Sequence, residues 1–350
     1  MLRASLCLIA ASAAAIHLPC APRASRCTMA AKRKRPPPPR PPPKGFGTHR
    51  AHGGSRLLHA DYDALCAWLA ASPSASLDRV AIGEFGGMRG VMAVRDIAAG
   101  EEIVSIPAHL AVDLGAQSVD PLAAARRLLA ARATDGGAHA AYWRLLPQEG
   151  SADLCTPDFM SDEQLRAVQW PPLVAQTRER AQRLRAAPSG GEGGGFSERE
   201  LRWAVWIVLS RVLTVLGPDG QGHKLLIPFL DMFNHKASSK HYLTGRTDGL
   251  LRVVAGEKVR SGEQVYIVYG DAQTSNVEFL SHYGFIDPAA GRADRAVVRA
   301  NPEAVHELRL TTLEDDLAYL DANPNAPYKE RLAIELRVAL KKAAMKEGLL

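Results

Sequence analysis

The chain has 350 residues, 47% of them hydrophobic, and a formal charge of +6. That length and apolar content allow a sizeable core in one large domain or two ordinary ones, and exclude a globally disordered protein. Residues 1–60 hold eleven Lys or Arg and no Asp or Glu, leaving 32 basic against 37 acidic side chains in 61–350, a net −5; a mildly acidic body carries no broad phosphate-binding face, so nucleic acid is not an expected partner.

The first segment reads as an address rather than a fold. Leu6–Ile16 is apolar behind Arg3, too short to span a bilayer and long enough for a signal-peptide core. From there to Arg56 the composition is Arg-, Pro- and Ala-rich and acid-free, as in an organelle transit peptide, and PPPPRPPPK is an extended piece. The two parts together resemble a two-part plastid leader, which implies a disordered segment over 1–56, a plastid destination and no membrane anchor in the mature protein. Lys32-Arg33-Lys34-Arg35 leaves a nuclear address, or a solvated basic run on a cytoplasmic protein, as the alternative. Cys7, Cys20 and Cys27 fall in this leader; Cys66 and Cys155 stand alone, with no CxxC or Cys/His cluster, so neither structural zinc nor a disulfide framework is expected.

Asp61–Ala71 has helical apolar spacing at Tyr62, Leu65, Cys66 and Leu69, with Pro73 beyond. Val80 to Ile106 reads as short strands joined by glycine turns. The glycine-rich turn Gly83–Gly90 lacks GxGxxG spacing and the Lys-Ser/Thr of a P-loop, and strand rather than helix follows it, which excludes a helix N-terminus holding a phosphate. Helical patterns then cover Pro121–Arg132, Ala138–Leu146 and Ser161–Arg185 with a break at Pro171-Pro172. Their aromatic stripes, Tyr142 and Trp143 included, are read as core. After a flexible Gly-rich connector at 188–195, Ser197 and Glu200 make a capping-box pattern, and a nearly all-apolar helix is expected through Leu216. Arg211 interrupts it. An always-charged guanidinium there needs Asp231 or a ligand carboxylate as partner, or else a place at the helix's solvent edge.

Residues 225–285 gather the chemistry. A strand-like run, Leu225–Leu230, leads into Asp231-Met232-Phe233-Asn234-His235. Gln264–Tyr269 alternates as a half-buried strand and Gly270 breaks it, which puts Tyr269 at a strand end. Thr274-Ser275-Asn276 caps a helical turn through Leu280, and Tyr283-Gly284-Phe285 closes the block. His235 and His241 lack the spacing of a metal pair and have no third ligand, and no Gly-x-Ser-x-Gly elbow accompanies Asp231 and His235 as a hydrolase would need. Taken alone, Tyr269 reads as a packing residue of an edge strand. Amphipathic helices are expected over Pro302–Leu310, Thr311–Ala322 and Pro327–Gly348.

The order GGMRGVMAVRDIAAGEEIVSIP, a helical insert, a helix ending in SRVL, LLIPFLDMFNH, SGEQVYIVYG and SNVEFLSHYGF resembles the SET-domain protein methyltransferases, in the branch of the rubisco large-subunit lysine methyltransferases. The resemblance covers about Asp61–Asp287. It implies an α+β, β-rich SET fold with a knot-like crossing over 57–290, a helical insert at about 115–205, and a short C-terminal helical substrate-docking region over 291–350. It implies S-adenosyl-L-methionine as cofactor, no metal, and a lysine-bearing protein substrate, rubisco or another plastid protein among the candidates. Residue by residue, it assigns the Gly87-Met88-Arg89-Gly90 turn, Arg211, Asp231, Asn234, His235, Ser275, Asn276, Phe279 and Phe285 to the cofactor. Tyr269 is the implied catalytic residue, and Tyr269 and Tyr283 the acceptor walls. Arg89 stands where such proteins often carry a small or apolar residue. Alternatives left open are a histidine acceptor, as in the actin-modifying relatives, and an inactive SET-fold binding module.

Overall fold

The computed structural model describes residues 53–151, 154–187, 195–217, 220–245 and 248–350. The leader through residue 52, with Cys7, Cys20, Cys27 and the basic run at Lys32, and the connector at 188–194 lie outside the described residues.

After the two-residue strand β1 (Ser55–Arg56), His59 caps helix α1 (Ala60–Ala70) by accepting the Asp61 N–H on Nδ1. Strands β2 (Val80–Phe85) and β3 (Met88–Ala93) form a hairpin whose loop, Gly86-Gly87, has φ of 64° and 91°. Both central residues of such a tight loop need positive φ, which glycine adopts without steric cost. A strand therefore leaves this turn, and no helix stands behind it. Strands β4 (Glu102–Pro107) and β5 (Val112–Ala116) lead into the helices α2 (Pro121–Thr134), α3 (Ala140–Trp143), α4 (Asp162–Ala167), α5 (Pro171–Ala186) and α6 (Glu198–Arg211). The capping box of Ser197 and Glu200 is formed.

Two boundaries differ from the sequence reading. The helix expected over Ala138–Leu146 is a single turn, Ala140–Trp143, hemmed in by Gly136 and Gly137 at positive φ before it and Pro147 after it. The helix expected through Leu216 stops at Arg211, and Val212–Leu216 is strand β6, antiparallel to β7 (Gly222–Leu226). Val212, Thr214 and Val215 are β-branched, and ladder pairing with β7 outweighs the modest helix propensity of the run. The apolar stretch after β7 is likewise not all strand, because Leu230–Met232 forms a 3₁₀ turn.

Strands β8 (Asn234–His235), β9 (Tyr242–Gly245), β10 (Leu250–Val254) and β11 (Gln264–Ile267) complete the sheets. Their orders are β1-β2-β3-β11-β8, β4-β10-β9 and β5-β7-β6. Among the described residues every named strand pair is antiparallel except β8 with β11, which run parallel with Asn234 opposite Tyr266 and His235 opposite Ile267. Beyond β11 come the single turn α7 (Asn276–Glu278), a π turn at Phe279–Tyr283, and the helices α8 (Gly291–Ala300), α9 (Leu313–Ala322) and α10 (Tyr328–Lys346), with a 3₁₀ stretch at Pro302–Leu310. The architecture is α+β, and α8 has no counterpart in the sequence reading.

The apolar side chains form two cores. The larger joins the sheets with α1, α2, α3 and α6. The smaller joins Cys155, Val168, Trp170 and Leu173 of the insert to Leu280 of the π turn and to Val298, Leu308, Leu332 and Leu336 of the C-terminal helices. The C-terminal helices thus share a core with the second half of the insert. Backbone-directed bonds tie the same parts together: Lys329 Nζ donates to the Phe159 carbonyl (2.6 Å), Arg337 Nη1 to the Ala167 carbonyl (2.8 Å) and the Tyr328 hydroxyl to the Gly284 carbonyl (3.1 Å).

Candidate active site

The parallel β8–β11 pair sets the last residues of two distant stretches side by side. Tyr269, two positions past β11, donates its N–H to His235 Nδ1 (2.9 Å) and its hydroxyl to the Phe233 carbonyl (2.5 Å). Because Nδ1 accepts from a backbone amide, the imidazole proton is assigned to Nε2, which donates to Asp287 Oδ2 at 3.0 Å. Burial alone would raise the Asp287 carboxyl, but the bonds from His235 and from the Ala289 N–H hold it below the ordinary carboxylate range. Tyr269 is 1% exposed. Burial, and after it the neighbouring Tyr283, hold its phenol well above the usual tyrosine value, so it acts as a hydrogen-bond donor and not as a base.

Aromatic rings enclose this pair. The Tyr269 ring lies 4.9 Å from Tyr283 and 6.3 Å from Phe285, and His235 lies 5.0 Å from Phe279 and 5.6 Å from Phe285. The π turn at Phe279–Tyr283 aims Phe279 and Tyr283 at this box, and Gly284 ends it at φ 76°. A Cβ at Gly284 would stand 2.5 Å from Cys155 Sγ, so both the backbone angle and the space require glycine. Single π turns inside helices are rare and gather at functional sites.

The second half of the site hangs from α6. Arg211 is fully buried, and its Nη1 donates to Asp231 Oδ2 (3.0 Å) and to the Asp231 carbonyl (3.4 Å), which removes the solvent-edge alternative. The Tyr142 hydroxyl donates to the same carboxylate oxygen at 2.9 Å. Phe229, just before the Asp231 turn, has φ 72°, a strained value for a residue with a bulky side chain. Asp231 Oδ1 is buried and accepts no hydrogen bond among the described residues; the same holds for Asn234 Oδ1, whose Nδ2 donates to the Arg89 carbonyl at 2.7 Å. Both amide atoms of Gln264 are likewise buried without a partner. At Gly90 a Cβ would collide with the Gln264 amide and stand 2.8 Å from Asn234 Nδ2. Each buried polar atom left unpaired costs about 1–3 kcal/mol, so the Asn234 and Gln264 side chains at Gly90, with Asp231 three residues before Asn234, make a candidate place for a polar ligand.

The remaining expected residues divide by what their side chains touch. Gly87 is in the hairpin loop, Met88 is packed in the larger core, and Arg89 lies over the Tyr62 ring at 6.0 Å. The turn therefore has backbone, not the Met88 side chain, to present. Ser275 makes a capping box with Glu278. Asn276 Nδ2 donates to Asp294 Oδ2 (2.7 Å) and to the Asp287 carbonyl (3.1 Å), while its Oδ1 accepts the Asp287 N–H (2.7 Å). The side-chain polar atoms of Ser275 and Asn276 are thus engaged within the chain, bracing the π turn and Asp287. His241 takes no part in these bonds; its Nδ1 accepts the Gly256 N–H, and burial pushes its imidazole below its usual value. Among the described residues no group of three or more His, Cys, Asp or Glu side chains is placed to hold a metal ion. Sequence reasoning missed Tyr142, Gln264, Asp287 and Asp294. Tyr142 and Gln264 lay within stretches read as ordinary core and strand, and nothing local marks the two aspartates.

No family model matches the chain. The actin-histidine N-methyltransferases of Homo sapiens and Callithrix jacchus are each 28% identical to it over 233 residues, 56% of this chain and 37% of theirs. The protein of the same name from Drosophila melanogaster is 37% identical over 100 residues, 27% of this chain and 18% of its own length. The matches thus span well under half of those relatives. Among solved structures, the SET domain of LSMT bound to MeLysine and AdoHcy aligns with a TM-score of 0.66 at 17% identity, covering 83% of this chain and 91% of that one. Rubisco LSMT bound to AdoMet aligns with a TM-score of 0.62 at 16% identity over the same shares. The chain has the SET fold of these structures.

Proposed function

We propose that the chain is an S-adenosylmethionine-dependent protein methyltransferase, and that its acceptor is a lysine side chain. The observation that carries this reading is the pairing of two halves in one place: unpaired buried acceptors on Asp231 and Asn234 beside the glycine turn, and a buried, protonated Tyr269 inside an aromatic box. The acceptors suit a ligand with hydrogen-bond donors such as an α-ammonium group, and the absence of a Cβ at Gly90 lets the Gln264 amide and Asn234 Nδ2 close in on the turn. The Gly87–Gly90 backbone, Asp231 and Asn234 would hold the cofactor, with Arg211 fixing Asp231 and with His235, Ser275, Asn276, Phe279 and Phe285 shaping and bracing its surroundings. When bound, the cofactor supplies an electrophilic sulfonium methyl group.

The protein's own contribution is position and dryness. A lysine amine has a reference pKa near about 10.4, and an aromatic, water-poor channel beside Tyr269 and Tyr283 favours its neutral, nucleophilic form. Tyr269 and nearby carbonyls orient the nitrogen for in-line attack, where alignment supplies most of the acceleration.

A second reading, an imidazole acceptor, is favoured by the names of the curated relatives. The pH profile separates the two. Histidine is already neutral above about pH 7, so its methylation levels off there, whereas the rate on lysine keeps rising toward the amine's pKa. The direct test is incubation of the full chain with tritiated S-adenosylmethionine and a whole-cell or plastid-stroma extract, followed by mass spectrometry of the labelled residue. Methyl-lysine is the expected product; methyl-histidine establishes the second reading, and absence of cofactor binding overturns both. The leader over 1–56 supports a plastid destination, which a fluorescent fusion of that segment tests.

A further inference from the structure

A buried chain of hydrogen bonds runs from the C-terminal helices to Tyr269. Asp294 of α8 is fully buried, and its two oxygens accept the Asn276 N–H and the Asn276 side-chain amide, each at 2.7 Å. Asn276 in turn grips the backbone of Asp287 from both sides, accepting its N–H and donating to its carbonyl. Asp287 divides its carboxylate: Oδ1 caps the next turn by accepting the Ala289 N–H (2.9 Å), and Oδ2 accepts from His235 Nε2. His235 then receives the Tyr269 N–H on Nδ1. Every link is a donor facing an acceptor.

We propose that Asp287 is a positioning residue, which fixes the His235 tautomer and through it the backbone of Tyr269, and that Asp294 anchors it from α8. The logic is one of alternatives. An imidazole has one proton in its neutral form; if that proton moved to Nδ1, it would face the Tyr269 N–H and the bond would become a repulsion. An acceptor held against Nε2 removes that choice. Tyr269 Cα then sits where its ring meets Tyr283 and its hydroxyl reaches the Phe233 carbonyl. His235 also lies in the surroundings proposed for the cofactor, so the effect on Tyr269 is read at saturating cofactor.

The inference uses the methyltransferase reading for its rate measurement only; the tautomer is measured independently. The variants are Asp287→Ser, which keeps an oxygen able to cap Ala289 but is too short for the imidazole, and Asp287→Asn, whose single oxygen can serve Ala289 or His235 but not both, so that its NH2 group opposes one of the two donors. In the full chain, the rate of tritiated methyl transfer to a fixed whole-cell extract is measured at saturating cofactor, with the cofactor KM and the ¹⁵N shifts of His235. Asp287→Ser is expected to lower the saturated rate at least about tenfold and to turn a single Nε2–H signature into a tautomer mixture. Asp287→Asn, with its oxygen on the Ala289 N–H, turns an NH2 group toward His235 and should shift the imidazole toward the Nδ1–H tautomer and lower the rate as well. A saturated rate unchanged in Asp287→Ser, or a His235 signature identical in all three proteins, overturns the proposal. Absence of any transfer by the unaltered chain counts against the methyltransferase reading instead, and the ¹⁵N comparison still decides the positioning role.

Discussion

Two buried aspartates in this chain, Asp231 and Asp316, are each 1% exposed and each face an arginine, yet they are treated in opposite ways. Asp316 is saturated: Thr311 Oγ1 and Arg337 Nη2 donate to one oxygen, and Lys341 Nζ (2.6 Å) and Arg337 Nε to the other. Lys341 spends its remaining capacity on the Thr311 and Thr312 carbonyls, and Arg337 reaches the Ala167 carbonyl. Asp231 receives Arg211 and Tyr142 on one oxygen and nothing from the described residues on the other. A closed network of charges pins α9 and α10 to the insert. An open one, three residues before an equally under-satisfied Asn234, is what a ligand site looks like before its ligand is counted.

The largest effect should come from breaking the closed network. Asp316→Ala leaves Arg337 and Lys341 buried without their carboxylate, and urea denaturation should show a loss of about 3–5 kcal/mol. Cofactor affinity, by calorimetry on the folded fraction, should not move; if it does, the two aspartates are not separate in function. Next comes the hydroxyl at the heart of the open site. Tyr269→Phe keeps the ring and should retain the fold and cofactor binding while methyl transfer drops by roughly 10²–10³, the range for loss of one aimed donor. Unchanged turnover would remove Tyr269 from the chemistry.

A third measurement uses a half-buried imidazole. Burial, then the charge of Arg180, pulls His282 on the π turn down from 6.5 to about 4. The unfolded chain takes up that proton near pH 6.5 and the folded chain does not until about 4. The stability it carries is therefore complete above pH 6.5 and lost as pH falls toward 4, roughly 3 kcal/mol at 1.36 per pKa unit. His282→Asn should flatten the acid limb of the stability profile by that amount relative to the unaltered chain; parallel profiles would show that the imidazole is not desolvated. The smallest effect sharpens the contrast most. Asn234→Ala should weaken cofactor binding about 10–100-fold, or about 1.4–2.8 kcal/mol, and, because it also removes the bond from Nδ2 to the Arg89 carbonyl, should lower the stability of the free protein by about 1–3 kcal/mol. An unaltered dissociation constant would take Asn234 out of the site.

Much of this was legible from residue order. The glycine-rich turn Gly83–Gly90 announced a junction between strands, Ser197 and Glu200 a helix start, and the alternation of Gln264–Tyr269 a strand delivering Tyr269 to its end. Those signals are local, resting on φ limits, cap bonds and side-chain alternation within a few residues. The helix misread through Leu216 shows where local signals fail: its outcome was decided by β7, a partner six residues beyond its end. Arg211 was legible as one candidate partner of Asp231, but Tyr142 and the partners of Asp287 and Asp316 were not, for the same reason. Tyr142 reaches Asp231 across 89 positions and His235 reaches Asp287 across 52.

The sequence by itself determined many of the helices and strands around the site and which short stretches carry unusual polar and aromatic residues. Only the tertiary structure decided that β8 and β11 run parallel and adjacent, that Arg211 is buried on Asp231, and that α8 braces Tyr269 through Asn276, Asp287 and His235. Local preference follows from each residue's own backbone and near neighbours. Which buried polar atom meets which partner, and which is left open, depends on how distant segments close on one another.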